Sequence, residues 1–384
     1  MTDLPPASAE TRRNRFDRME WAGAFGDLGT LIPFLIAYIT LAGMDPLGVL
    51  FVFAIALIFV GAWYRTPFPV QPMKAIGAAV VSQGVAVTPA TIAGAGLVTG
   101  AIWLLLGATG LIERVTRLVS RPVVAGIILG LGAGFMLKGI EMMASHWLIA
   151  SIALLLTLLM LGNRRLPAML LLLLFGVVCG VLLNPEHLQR LSAFSVQFRL
   201  PELVLQSVGW SDLLTGGLFL ALPQLPLTLG NAILAIRQEN NRLFPDRPVS
   251  EWRVALSTGL MNLFGAPLGG VPMCHGAGGM AGHVAFGART GGAPIILGGL
   301  LLVAALFFSN SVLLLLQLLP ESILGVVLFI TGAQLAIGCG GLGESRGDRF
   351  ITLATAAFAI WHVGIAFLVG IGAAWMQRRG WLRI

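Results

Sequence analysis

The chain has 384 residues, of which 57% are hydrophobic and 11% charged, and its mean hydropathy is +0.89. Soluble domains average about 25% charged residues, so the composition excludes an ordinary soluble enzyme and describes a chain embedded in a lipid bilayer. The net charge of +7 matches the excess of Lys and Arg on the cytoplasmic loops of membrane proteins and gives no case for a nucleic-acid partner.

A membrane span needs about 20 apolar residues, fewer where its helix is broken. Residues 1–20 are polar and arginine-bearing, with no small-residue cleavage site after the first apolar run. They read as a cytoplasmic N-terminal tail, not a signal peptide. A first repeat of seven segments spans 21–183, with segments at about 21–40, 46–63, 67–85, 92–110, 121–140, 146–162 and 166–183. A polar extracytoplasmic connector (184–209) follows. A second repeat spans 210–377, with segments at 210–235, 252–266, 270–287, 292–309, 319–340, 350–360 and 361–377, before a cytoplasmic tail at 378–384. An odd number of segments per half inverts the second half relative to the first. With both termini inside, all but four of the 24 basic residues fall on inner loops, the four being Arg190, Arg199, Lys138 and Lys74. The expected fold is an all-α polytopic membrane protein of about 14 segments, in a bacterial-type inner membrane.

Segments three and ten break the pattern. Thr66-Pro67-Phe68-Pro69-Val70-Gln71-Pro72-Met73-Lys74 holds three prolines in six residues, which a regular helix does not accept. Residues 267–273, Pro-Leu-Gly-Gly-Val-Pro-Met, repeat the device: Pro67, Pro72 and Met73 match Pro267, Pro272 and Met273 at an offset of 200. Paired broken segments in two halves point to a transporter binding site. We expect each to be extended first and then to become a half-helix at about Met73 and Met273. Backbone N–H groups of Met73, Lys74 and Ala75 would then converge with those of Met273, Cys274 and His275 on an anion.

Polar groups at membrane depth are costly and are functional candidates. Asp27 lies in Gly-Ala-Phe-Gly-Asp-Leu-Gly-Thr, ending at Thr30; Gln71 and Lys74 lie at the first break; Gln224, Thr228 and Asn231 lie in segment eight; His275 follows Pro272 at the second break. Two readings of Lys74 stand open: it binds a multiply charged anion, or it pairs with Asp27. Asp27 is the candidate for proton coupling. His275 is either a donor to oxyanion oxygens or a packing residue. The glycines at 276, 278, 279 and 282 lack the Gly-Lys-Ser/Thr ending of a phosphate loop, so a nucleotide site is rejected and close helix packing is expected. Cys179, Cys274 and Cys339 form neither a disulfide framework nor a zinc motif. No cofactor, metal or catalytic residue is expected.

These stretches resemble the molybdate-transporter family, related to SulP sulfate permeases. The matching residues are Gly23–Thr30, Pro69–Ala75, Pro223–Thr228 with Asn231, and Pro272–Gly282 with Phe286–Arg289. The resemblance implies seven-plus-seven inverted repeats, a core of segments 1–4 and 8–11, and a gate of segments 5–7 and 12–14. It places Gln71, Lys74, Gln224 and His275 near the anion, with molybdate as substrate carried by alternating access. SulP permeases carry a C-terminal STAS domain, and the chain ends soon after its last span, which favours the molybdate branch. A homodimer is one arrangement the resemblance implies. The rivals are a sulfate or nucleobase carrier of the same fold, an anion channel and a membrane enzyme.

Overall fold

The structure is a computed structural model that describes residues 13–82, 87–115, 120–160, 168–183, 195–339 and 341–381. Parts of both expected tails and of the connector (1–12, 184–194 and 382–384) lie outside the described residues, as do the ends of several predicted segments.

The first half runs α1 (Arg18–Ala24), a 3₁₀ turn (Phe25–Asp27), α2 (Leu28–Thr40), α3 (Pro46–Tyr64), β1 (Gln71–Pro72), α4 (Lys74–Ser82), α5 (Pro89–Thr109), the short α6 (Ile112–Val115), α7 (Arg121–Met143), α8 (Trp147–Met160) and α9 (Ala168–Leu183). The second half runs α10 (Trp210–Leu243), α11 (Glu251–Gly265), β2 (Met273–Cys274), α12 (Ala277–Ala285), α13 (Gly292–Gln317), α14 (Glu321–Ile337), α15 (Arg346–Trp361) and α16 (Val363–Arg378). Local chemistry sets many of these limits. Asp45 caps α3 ahead of Pro46, Thr88 and Thr91 form a capping box ahead of Pro89, and Ser345 pairs with Asp348 at the start of α15. Helix α5 stops at Gly110 in the left-handed region (φ 69°).

Segment eight is not a regular α-helix throughout. It contains two π-helical stretches, Gly216–Ala221 and Thr228–Ala235, either side of Pro223 and Pro226. Proline has no N–H to donate, and the ladder around it shifts register instead of ending. The segment also continues to Leu243, past the expected end at 235.

Helix pairing follows a two-fold exchange of the halves. Helix α3 packs on α13, and its counterpart α11 packs on α5; α7 packs on α15, and α14 on α8; α15 packs on α16, and α8 on α9. The α7–α14 crossing lies on the pseudo-axis. A Cβ on Gly132 would sit 2.6 Å from the Gly332 carbonyl and one on Gly332 would sit 2.5 Å from the Gly132 carbonyl. Glycine is required there because the two backbones touch. A separate apolar cluster of Met143, Ala150, Leu172, Ile323 and Val327 joins α7, α8, α9 and α14. The larger cluster holds segments 1–4 and 8–11 together and continues into α7, α14, α15 and α16 through Val123, Phe135, Leu328, Ile351 and Ala373.

The expected tail is partly structure. Helix α1 begins at Arg18, and Glu20 is fully buried. Its carboxylate accepts from the N–H groups of Arg289, Thr290 and Ala293, satisfying the amino end of α13.

Candidate functional site

Extended backbone at each break carries unpaired N–H and C=O groups into the middle of the fold, and lipid cannot satisfy them. The two breaks satisfy each other. β1 and β2 pair antiparallel, Gln71 opposite Cys274 and Pro72 opposite Met273, and Met73 N–H donates to Pro272 O at 2.9 Å. The first half-helix begins at Lys74, close to the expected start, and the second later than expected, at Ala277, with Pro72, Met273 and Cys274 in the strand pair and His275 between strand and helix.

This pairing corrects the picture of free N–H groups. Met73 N–H is held by Pro272, Met273 N–H by Asn262 Oδ1 (2.8 Å) and Ala75 N–H by Gln224 Oε1 (2.7 Å). Asn262 also donates to Met273 O at 2.7 Å, so one α11 side chain grips both backbone groups of the second break. Gln224 reaches across from α10 as a surrogate cap for α4, and its Nε2 donates to Thr228 Oγ1 at 3.0 Å. Asn231 is half-buried in the second π stretch. The Thr30 side chain lies outside the described residues.

His275 is fully buried and both ring nitrogens have protein partners: Pro69 O at 2.8 Å from Nδ1, and Ser257 Oγ at 2.8 Å from Nε2. A carbonyl only accepts, so Nδ1 carries the proton and donates. The expected donation to an oxyanion is not available from this arrangement. The ring staples the two breaks together instead. Behind it, the Tyr64 hydroxyl lies 2.8 Å from Ser257 Oγ, and Phe68 packs edge-on to the imidazole at 4.9 Å.

Asp27 sits buried in the 3₁₀ turn between α1 and α2, where segment one bends beside α12. Gln71 donates to it, Nε2 to Oδ1 at 2.6 Å, and Lys74 lies within electrostatic reach of the same carboxylate and of the Cys274 thiol. Gln71 Oε1 is buried and has no partner among the described residues. The glycines of segment ten make room for this pair. A Cβ on Gly276 would overlap Gln71 Oε1, and one on Gly279 would sit 2.6 Å from both Asp27 Oδ2 and Gln71 Nε2. Close packing was expected of these glycines; Gly282 meets it, a Cβ there sitting 2.6 Å from the Gly26 carbonyl, whereas Gly276 and Gly279 face polar side chains.

A cleft of ≈ 340 Å³ runs from the first turn of α4, at Ala75, between α4 and α10 on one side and α7 and α15 on the other. Phe135, Pro223 and Trp361 line it, and the Lys138–Glu141 ion pair (2.9 Å) stands at its mouth. No group of three or more metal-ligating side chains occurs among the described residues.

The sequence profile described as "Molybdate transporter of MFS superfamily" matches residues 19–137 and 216–335. The chain belongs to the molybdate transporter family. It is 33% identical over 402 residues to molybdate transporter 2 of Arabidopsis thaliana, covering 92% of this chain and 85% of the relative. It is 29% identical over 483 residues to molybdate transporter 1 of Chlamydomonas reinhardtii, covering 94% and 92%. Among solved structures it resembles the transmembrane domain of a cyanobacterium bicarbonate transporter, BicA (TM-score 0.66, 16% identity, 93% of this chain and 97% of that chain). It also resembles the murine solute carrier 26 family member A9 anion transporter in the inward-facing state (TM-score 0.70, 12% identity, 100% and 74%). These likenesses establish the fold, a seven-plus-seven inverted repeat with core and gate. Family membership makes the chain a transporter, not an enzyme.

Sequence reasoning missed Glu20, Ser257 and Asn262. Glu20 was absorbed into a polar tail. Asn262 carried a usable signal, an amide inside an apolar helical run. Ser257 carried none, because a lone serine in a span is common.

Proposed function

We propose that this protein is a secondary active importer of a tetrahedral oxyanion, with molybdate as the substrate, working by alternating access. The observation that carries the reading is the β1–β2 crossing, which brings the amino ends of α4 and α12 together with Lys74 in the first turn of α4. Helix amino ends favour negative charge. A cation there opposes its own helix dipole, and a bound dianion relieves that opposition. The curated relatives' names support molybdate, and the cleft beside Ala75 supplies a route to the site. By this reading Lys74 and the ends of α4 and α12 face the anion, while Gln224, His275 and Asn262 position the breaks. Both termini lie on the cytoplasmic side of a plasma-type membrane, following the arginine distribution.

Asp27 and Gln71 form the coupling element. With Asp27 ionised, Gln71 turns its N–H toward the carboxylate and leaves its carbonyl unpartnered, a poor face for an anion. A protonated Asp27 donates to that carbonyl once the amide turns, and the amide N–H groups become free for the oxyanion. Proton and anion would then enter together. Lys74 and Cys274 also lie within reach of Asp27.

The test is uptake of labelled molybdate into proteoliposomes under an imposed pH gradient, with sulfate and tungstate as competitors. Accumulation above equilibrium, lost when the gradient is collapsed, is expected. Robust sulfate uptake without molybdate uptake overturns the substrate; equilibration without accumulation makes the protein a channel. Asp27→Asn is expected to abolish the pH dependence, and unchanged pH-dependent uptake by that variant removes the coupling role.

A further inference from the structure

The last two helices, α15 and α16, form a short hairpin. Each has 16 residues, about 24 Å of helix against about 30 Å of hydrocarbon in a bilayer. They pack on one another, and Gln377 near the end of α16 donates to Asp348 in the first turn of α15 at 3.4 Å. The hairpin therefore starts and ends together, with Arg346, Arg349 and Arg378 at its base. Its turn, at His362, falls short of the far side and lies at membrane depth, where an ionisable side chain is a functional candidate.

The backbone of His362 is extended (φ −154°, ψ 114°). Its N–H closes α15 on Phe358 O at 2.8 Å, and its ring caps α16, Nδ1 accepting from Ile365 N–H at 3.4 Å. Nδ1 is thus the ring's acceptor, and the proton sits on Nε2. Nε2 makes no hydrogen bond among the described residues, and His362 is partly exposed and lines the cleft beside α4. The rest of the cleft offers an anion little. Ala75, Leu131, Phe135 and Pro223 are apolar, and Lys138 is committed to Glu141 at 2.9 Å. An oxyanion that sheds water in such a passage needs a donor from its wall. The wall here is firm: a Cβ on Gly126 of α7 would sit 2.5 Å from the Thr352 carbonyl of α15, so the two backbones touch.

We propose that His362 is a substrate-binding residue of the cleft, its Nε2–H donating to an oxygen of the oxyanion on the way to the amino end of α4. The inference rests on the transport reading above. It puts a donor on the α7–α15 side of the passage, facing a site otherwise built from α4, α12 and the paired strands.

The experiment measures initial rates of labelled molybdate uptake into proteoliposomes against concentration, with melting temperatures in detergent alongside, for wild type, His362→Ser and His362→Gln. Serine is a favoured helix cap but is too short to reach into the cleft, whereas glutamine carries an amide donor out to the position of Nε2 and is not a favoured cap. The Ser variant is expected to melt like wild type and to keep its maximal rate, while its half-saturating concentration rises about ten-fold through the loss of one hydrogen bond to a charged group. The Gln variant is expected to melt lower and to keep its half-saturating concentration within about two-fold of wild type. An unchanged half-saturating concentration in the Ser variant, or changes in both variants that follow melting temperature, makes His362 a cap alone and overturns the proposal. A wild type that takes up no molybdate overturns the transport reading and the inference with it.

Discussion

Asp27, Gln71 and the glycines facing them form one packed unit, and their geometry separates otherwise similar substitutions. Gly279→Ala places a methyl against Asp27 Oδ2 and Gln71 Nε2 at 2.6 Å. Overpacking of this kind costs about 1–3 kcal/mol. Molybdate uptake by this variant is expected to fall about ten-fold or more, because the coupling pair must move. Gly278, one residue earlier on α12, meets nothing within 4 Å of a built Cβ. Gly278→Ala is therefore expected to keep uptake and to gain up to about 1 kcal/mol of helix stability. Equal behaviour of the two variants in uptake and thermal-shift assays would show that the glycine layer does not hold Asp27 and Gln71. A second residue-scale test is Asn262→Leu, which strips partners from both Met273 N–H and Met273 O. Each buried orphan costs about 1–3 kcal/mol, so a clear fall in melting temperature in detergent is expected.

Elements here are joined by single side chains at the ends of broken helices. Helix α4 is nine residues long and starts in the interior, so its amino end depends on Gln224 for one acceptor. Gln224→Glu keeps that acceptor and adds negative charge at the proposed anion site, so it should leave stability largely intact and suppress uptake. Gln224→Leu removes the acceptor and should lower stability by about 1–3 kcal/mol as well. A Glu variant that transports normally would move the anion away from the end of α4. The fourteen segments were legible at this scale because apolar runs and proline breaks follow from composition alone. The strand pairing was not, since two-residue strands have no period to read. The fates of Met73 N–H, Met273 N–H and His275 depended on it.

For the whole molecule, the inverted repeat makes a paired prediction. Gly132→Ala and Gly332→Ala each press a methyl into the partner's backbone at the α7–α14 crossing, and the pseudo-symmetry makes their costs alike. Both are expected to destabilise by about 1–3 kcal/mol in detergent unfolding, whereas Gly134→Ala, whose nearest neighbour would be 3.9 Å away, is tolerated. Two very different values for Gly132 and Gly332 would deny the axis at this crossing. The repeat itself was legible from matched prolines and alternating arginines. Core and gate came only from the resemblance, and the larger apolar cluster runs across both, with Phe135 and Leu328 in the same cluster as Phe34 and Ile76.

By itself the sequence determined that this is a membrane protein of two inverted halves, where each half breaks, and which polar groups are candidates for its site. Those features follow from the cost of placing charge and unpaired backbone in lipid, which every local stretch reports alone. Only the tertiary structure decided how the groups divide their hydrogen bonds: Gln71 on Asp27 with Lys74 nearby, Gln224 on the end of α4, and His275 bridging Pro69 to Ser257. A side chain's partner depends on distances set by packing between residues that can lie more than 200 positions apart, as His275 and Pro69 do.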